Sequence, residues 1–234
     1  MIQVVTIDGP AGAGKSSVAR RLAERLGWRL LDTGAMYRAV TLAALRRHVD
    51  LHSAAALADL VARIEVVVAP NEVMLDGEVV TAAIRTDEVT RLTRHAADCP
   101  AVRRQMVAWQ RAFAEAERQV VAEGRDQGTI VFPDALKKYY LTANDEERAR
   151  RRQAESLGEQ DPAAFAATLQ RLRERDAGDH ARTIAPLVAA HDARVIDSTG
   201  LALEQVVSLM EHEIRTHLAT LPDAGSDPLG PPLF

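Results

Sequence analysis

A glycine-rich segment near the amino terminus constrains this chain more than any other feature. Residues 9–16 read Gly-Pro-Ala-Gly-Ala-Gly-Lys-Ser and match the pattern G-x-x-x-x-G-K-[ST] in full. A β-rich apolar run at 2–7 precedes the segment, and a helical pattern at 15–26 follows it. Glycines at such a junction let backbone N–H groups surround an anion, and the helix N-terminus adds partial positive charge. The segment therefore predicts a site for the phosphates of a nucleoside triphosphate.

The residue types in this phosphate loop indicate ATP with Mg²⁺ as its cofactor. Lys15 is expected to reach the β- and γ-phosphates as a catalytic residue, and the Ser16 hydroxyl to be the metal ligand. A GTPase would carry an Asn-Lys-x-Asp motif, which the sequence lacks, and a motor or transporter ATPase would be longer than 234 residues. A small kinase is favoured. The predicted ATP-binding residues are Gly9, Pro10, Ala11, Gly12, Ala13, Gly14, Lys15, Ser16 and Ser17.

The rest of the chain alternates strand and helix patterns. Strand-like runs at 28–31, 119–122, 138–142 and 194–197 are separated by helical segments, which predicts an α/β fold of three layers with a central parallel sheet. Residues 64–80 instead form a small β-rich insertion around the turn Asp76-Gly77. We expect one domain over 1–220, with a core of 1–60 and 117–220, an insertion of about 61–116, a lid of about 145–162 and a disordered tail at 221–234.

Charge and composition exclude some classes of partner. The formal net charge of −4 argues against a protein that binds double-stranded nucleic acid. No apolar run approaches the roughly 20 residues that span a bilayer, and no signal peptide is visible. The one cysteine, Cys99, cannot form an internal disulfide. We therefore expect a cytoplasmic protein without membrane or nucleic-acid partners.

An ordered set of short segments spans about residues 2–218. The segments are Gly9 to Ser17, Leu31-Asp-Thr-Gly-Ala-Met-Tyr-Arg38, Ile84-Arg-Thr86, Val102-Arg103, Gln110-Arg111, Gly124-Arg-Asp-Gln-Gly128, and Arg175-Asp176 through Arg182. Together they resemble the bacterial-type cytidylate kinases, a branch of the nucleoside monophosphate (NMP) kinases. The resemblance implies a P-loop kinase fold with an NMP-binding insertion, ATP as donor, and CMP or dCMP as acceptor. We expect a monomer.

The chemistry of such a transfer explains the many arginines. Two nucleotides placed end to end carry several negative charges, and the planar arginine fork pairs with phosphate oxygens in a bidentate way. Arg125 follows an apolar strand directly, where open α/β sheets bind ligands, and is also a predicted catalytic residue. The competing interpretation of any single arginine is that it lies on the surface as a solvated charge. The predicted CMP-binding residues are Thr33, Arg38, Arg103, Arg125, Asp126, Arg175, Asp179 and Arg182.

Discrimination between cytosine and uracil depends on the hydrogen-bonding groups that the protein presents to the base. A carboxylate accepts from the cytosine amino group and repels the carbonyl that uracil has in its place. The resemblance assigns this role to Asp126, the acceptor edge of the base to Arg103, and the ribose hydroxyls to Asp179. The competing hypothesis for Asp126 is an ion pair with Arg125.

Two positions depart from the family pattern. Arg94 stands where the family often has a small hydroxyl residue, with Thr93 beside it, and Gln127 stands where an apolar residue is common. Both leave open how strongly the site discriminates against UMP.

An arginine-rich helix after Asn144 is interpreted as a lid. Arg148, Arg151 and Arg152 have helical spacing, so they share part of a face that is expected to cover the ATP phosphates. Arg148 and Arg152 are the predicted catalytic residues of this face; the alternative is an exposed helix with Glu–Arg pairs. The segment Asp197-Ser-Thr199 resembles the loop near the adenine. No histidine is assigned a catalytic role.

Two other functions remain open from the sequence. One is a P-loop kinase for a different small acceptor, such as UMP. The other is a P-loop regulatory or nucleic-acid-binding protein that uses ATP as a switch, against which the acidic balance and the full set of candidate acceptor residues count.

Overall fold

The computed structural model describes residues 2–69, 71–155, 162–182 and 184–221. The strands are β1 (Gln3–Asp8), β2 (Arg29–Asp32), β3 (Val66–Ala69), β4 (Glu72–Leu75), β5 (Glu78–Val79), β6 (Gln119–Glu123), β7 (Lys137–Thr142) and β8 (Arg194–Asp197). The helices are α1 (Lys15–Leu26), α2 (Thr33–Arg46), α3 (Ala54–Val61), α4 (Asp87–Asp98), α5 (Pro100–Glu117), α6 (Asp145–Glu155), α7 (Pro162–His180) and α8 (Leu203–Thr220).

Five strands form one parallel sheet in the order β2-β6-β1-β7-β8. Successive residues of β1 face opposite sides of it: Val4 packs in a cluster with α2, α3 and α5, whereas Val5 and Ile7 pack in a cluster with α1 and α8. Because helices cover both faces, the central strands are apolar along their length. The predicted three-layer α/β fold is confirmed.

The strands of the insertion, β3, β4 and β5, form a second, antiparallel sheet. Asp76 and Gly77 have φ values of 50° and 82°, as a two-residue hairpin turn requires, so the predicted turn is confirmed. Val66, Val73 and Leu75 belong to the same hydrophobic cluster as α2. The insertion is therefore packed onto the core rather than forming a separate hydrophobic core.

Helix ends follow local capping chemistry. Gly27 terminates α1 in the left-handed conformation, and the Ser53 hydroxyl accepts from Ala56 N at 3.2 Å to start α3. Helix α2 begins at Thr33, because the Asp32 carboxylate caps it by accepting from Ala35 N at 2.9 Å. No described helix has the length and apolarity to cross a membrane. Of the predicted tail, 222–234 lie outside the described residues.

Candidate functional site

A cavity of about 840 Å³ lies at the carboxyl ends of β2 and β6, between the phosphate loop, α2, α4 and the small sheet of β3 and β4. Four of the predicted site residues do not line it, namely Gly9, Pro10, Ala13 and Arg148. The structure brings the others together in this one cavity: Ala11, Gly12, Gly14, Lys15, Ser16, Ser17, Thr33, Arg38, Arg103, Arg125, Asp126, Arg152, Arg175, Asp179 and Arg182.

The phosphate loop needs its glycines for steric reasons. A Cβ on Gly9, which has a φ of +141°, would lie 2.0 Å from Leu141 O of the neighbouring strand. A Cβ on Gly12, with a φ of +77°, would lie 3.0 Å from Arg148 O. Both positions therefore combine a left-handed backbone with a close approach to another main chain, and a larger residue would displace the loop.

Lys15 is buried beneath the loop, where its Nζ donates to Pro10 O at 2.7 Å. Desolvation and the nearby positive charges of Arg125 and Arg175 lower the pKa of Lys15 to about 7. An anion at the loop would reverse this effect, because it favours the charged ammonium. The site is therefore arranged so that phosphate binding and protonation of Lys15 support each other.

Glu123 is a site residue that the sequence reasoning missed. It ends β6, is 5% exposed, and its Oε1 accepts from Ser16 Oγ at 2.8 Å. Burial, with the nearby charge of Asp32, raises the pKa of Glu123. An apolar run at 120–122 ending in an acid was the available signal. Mg²⁺ prefers oxygen ligands and takes few from the protein, so the Ser16 hydroxyl supported by this carboxylate fits a magnesium site.

Asp8 is the second missed residue, and it holds the segment that follows β6. Its two carboxylate oxygens accept from Gln127 N at 2.9 Å and Gly128 N at 2.7 Å. Burial raises the pKa of Asp8 to about 6, against the opposing effect of these two hydrogen bonds. Asp8 therefore fixes the turn that presents Arg125 and Asp126 to the cavity.

Asp126 and Arg103 form a buried ion pair, with side chains 7% and 8% exposed. The hypothesis that Asp126 pairs with Arg125 is wrong: Arg125 Nε instead donates to Asp179 Oδ2 at 3.0 Å. The physical reason is that Arg103, on α5, reaches Asp126 across the cavity wall, whereas Arg125 points towards α7. Burial raises the pKa of Asp126, and the charge of Arg103 opposes this shift.

The cavity concentrates positive charge. Arg38 and Arg175 line it, and neither forms an ion pair with a carboxylate of the described chain. Burial lowers the pKa of Arg38, and burial with the adjacent Arg125 lowers the pKa of Arg175 to about 10. Both side chains are half-buried, and nearby carboxylates offset their charge only in part, so the arrangement favours an anionic ligand.

The three arginines of the predicted lid face have different surroundings. Arg148 is buried outside the cavity, where it donates to Ala11 O at 3.0 Å and pairs with Asp176. Arg151 donates to Ala13 O at 3.1 Å and to Ser198 O at 2.8 Å, so it joins the phosphate loop to the 197–199 segment. Only Arg152 lines the cavity. In this conformation Arg148 braces the loop from outside.

The two departures from the family pattern lie away from the cavity. Gln127 is buried, and its Nε2 donates to Gln110 Oε1 at 3.1 Å, whereas its own Oε1 accepts no hydrogen bond from the described residues. Arg94 is exposed, whereas its neighbour Thr93 lines the cavity. Tyr37, which the sequence reasoning missed, also lines it, with the Arg103 guanidinium 6.0 Å from its ring centroid.

Comparison with known proteins gives one family. Residues 5–216 match the family model described as cytidylate kinase. The cytidylate kinase of Proteus mirabilis (strain HI4320) is 46% identical over 211 residues, covering 88% of this chain and 93% of that protein. That of Enterobacter sp. (strain 638) is 46% identical over 220 residues, covering 92% and 96%. A solved shikimate kinase from Acinetobacter baumannii aligns over 95% of this chain and 97% of its own, with a TM-score of 0.47 and 16% identity. The chain belongs to the cytidylate kinase family.

Proposed function

We propose that this protein transfers the γ-phosphoryl group of ATP to CMP and dCMP, forming CDP and dCDP. The observation that carries the proposal is one continuous cavity with a phosphate loop at one end and the buried Arg103–Asp126 pair at the other. Such a cavity can hold a donor and an acceptor nucleotide with their phosphates facing each other. In-line phosphoryl transfer needs this positioning and charge neutralisation more than it needs a strong base.

The donor end is built from the phosphate loop of 9–17. Backbone N–H groups of the loop would hold the ATP phosphates, and Lys15 would neutralise charge as the γ-phosphoryl group departs. Ser16, hydrogen bonded to Glu123, is the residue suited to hold Mg²⁺. When bound, Mg²⁺ would supply charge neutralisation on the phosphate oxygens. Arg152 would be the lid residue that reaches the transferring group, which is supported by its place in the cavity lining.

The acceptor end offers separate groups for phosphate, ribose and base. Arg38, Arg125 and Arg175 would bind the acceptor phosphate; Arg38 and Arg175 are half-buried and form no direct ion pair with a carboxylate among the described residues. Asp179 would accept from the ribose hydroxyls, and Arg182 is paired with it at 2.8 Å. The base would exchange hydrogen bonds with Asp126 and Arg103. Thr33, whose hydroxyl donates to Glu123 O at 2.7 Å, lies between the two ends.

The division of labour along the chain is part of the proposal. We assign acceptor binding to the insertion of about 61–116, because Thr93 and Arg103 line the cavity from it. We assign the lid to about 145–162, of which 156–161 lie outside the described residues. A monomer is the proposed working unit. The free thiol of Cys99 suits the reducing cytoplasm.

Transfer of label tests the proposal directly. With ATP labelled in its γ-phosphate, the wild type should convert CMP to labelled CDP in an Mg²⁺-dependent reaction. Lys15→Ala should lower the rate by several orders of magnitude, on the order of 10³-fold or more, while the fold survives. Label released as free phosphate with CMP unchanged would contradict the proposal and indicate an ATPase.

A further inference from the structure

The carboxyl end of α4 forms part of the acceptor wall. Thr93 and Ala97, one turn apart, line the cavity, and Ala97 O accepts from Arg103 Nη1 at 3.1 Å. Asp98, the last residue of the helix, does not line the cavity. Its Oδ1 accepts from Arg182 Nε at 2.7 Å, across 84 positions of sequence. This contact ties the end of α4 to the segment that follows α7.

Arg182 is held from two sides. Nε donates to Asp98, and Nη2 lies 2.8 Å from Asp179 Oδ1. The other oxygen of Asp179 accepts from Arg125 Nε at 3.0 Å. A chain of alternating charges, Asp98–Arg182–Asp179–Arg125, therefore runs along the acceptor side of the cavity. With Nε and Nη2 engaged, the guanidinium still has N–H groups for a ligand.

The position of Asp98 is unfavourable within its own helix. A carboxylate at a helix C-terminus lies next to the negative end of the helix dipole, where a cation would be preferred. The compensating interaction is the one with Arg182, whose side chain is 14% exposed while that of Asp98 is 54% exposed. Asp98 therefore contacts Arg182 from the solvent side, whereas Arg182 itself lines the cavity.

We propose that Asp98 is a positioning residue for acceptor binding: it holds the Arg182 guanidinium at the cavity and fixes the α4 wall against the end of α7. This role rests on the proposed function, since Arg182 is assigned there to the acceptor. Within the described ranges Asp98 contacts Arg182 and no residue of the phosphate loop, so we expect its effect on the acceptor nucleotide.

Steady-state kinetics of Asp98→Ala tests the role. The KM for CMP should rise roughly three- to tenfold, because one charge-assisted hydrogen bond to a half-exposed partner is lost. The KM for ATP and kcat should stay within about twofold, by the same reasoning. The matched control is Asp59→Ala, which removes an exposed carboxylate of α3 that pairs with Arg63 at 2.7 Å. That variant should leave every parameter unchanged.

A double-mutant cycle separates positioning from general stability. In an Arg182→Ala background, adding Asp98→Ala should raise the KM for CMP by less than about twofold, because its target is already gone. The role is overturned by an unchanged KM in Asp98→Ala, by an equal increment with and without Arg182, or by a lowered Tm that affects ATP and CMP alike.

Calorimetric titration of CMP gives a readout that does not depend on turnover. Weaker CMP binding by Asp98→Ala than by wild type supports the positioning role even if no CDP forms, which would contradict the proposed function alone. Equal CMP binding by the two proteins overturns the positioning role while leaving the function standing.

Discussion

Replacement of Asp126 by Asn should change the choice of base more than the rate of transfer. The Asp126 side chain is 7% exposed, so a hydrogen bond from the cytosine amino group would form with little competition from water. Asn keeps the size and shape of the side chain but removes the charge and can turn a donor towards the uracil carbonyl. The expected result is a greater loss of kcat/KM for CMP than for UMP.

The magnitude follows from one lost charge-assisted hydrogen bond. Such a bond contributes about 1.5–3 kcal/mol, so the CMP/UMP ratio of kcat/KM should fall roughly tenfold to a hundredfold. The same change also leaves Arg103 without its buried counter-charge, which destabilises the protein. That cost is common to both acceptors and cancels in the ratio.

The assay is kcat/KM for CMP and UMP in wild type and variant, with ADP formation as the signal. Asp179→Asn is the matched control, because it removes a carboxylate assigned to the ribose and should lower kcat/KM for both acceptors alike. An unchanged ratio in Asp126→Asn, with a uniform loss, would refute base recognition by Asp126. It would leave that carboxylate as a support for Arg103.

Three further outcomes are expected at the donor end. Gly9→Ala places a Cβ 2.0 Å from Leu141 O and should lower the free energy of unfolding by at least about 2 kcal/mol, measured by denaturant titration; unchanged stability would contradict the loop geometry. Glu123→Gln should raise the half-saturating Mg²⁺ concentration roughly tenfold to a hundredfold at fixed ATP, and an unaltered Mg²⁺ titration would remove Glu123 from the metal site. Because the pKa of Lys15 is about 7 without ligand and phosphates raise it, the contribution of Lys15 to ATP affinity should be fully present below that pH and decline as the pH rises above it. Calorimetry at about pH 8 in buffers of different ionisation enthalpy should show proton uptake by the wild type and none by Lys15→Ala.

Local features of this fold could be predicted because their causes lie within a few residues. The loop glycines, the Ser53 cap, the Asp76-Gly77 turn and Pro100 at the first position of α5 each act on adjacent backbone. Their consequences are steric or involve hydrogen bonds between near neighbours, so the sequence pattern is sufficient to identify them.

Features that depend on strand order could not be predicted in the same way. Glu123 reaches Ser16 across 107 positions because β6 lies beside β1, and this adjacency is a property of the assembled sheet. Helical spacing places Arg148 and Arg152 one turn apart on α6, but spacing does not say what each side chain contacts. Arg148 therefore contacts Ala11 O, while Arg152 lines the cavity.

The competing hypothesis for Asp126 named the wrong ion-pair partner for a related reason. Arg125 is adjacent in sequence, but neighbours on a turn point in different directions, and the side chain that reaches Asp126 comes from α5. Gln127 likewise depended on a partner from α5, Gln110, which no local pattern indicates.

The central claim is that CMP and dCMP are the acceptors, and one measurement tests it most directly. In a coupled assay of ADP formation with Mg²⁺ and ATP, kcat/KM is determined for CMP, dCMP, UMP, AMP and GMP as separate acceptors. The account predicts that CMP and dCMP give the highest values, with little ADP formed when no acceptor is present. A higher value for UMP, AMP or GMP, or ADP formation that is the same without acceptor, would contradict it.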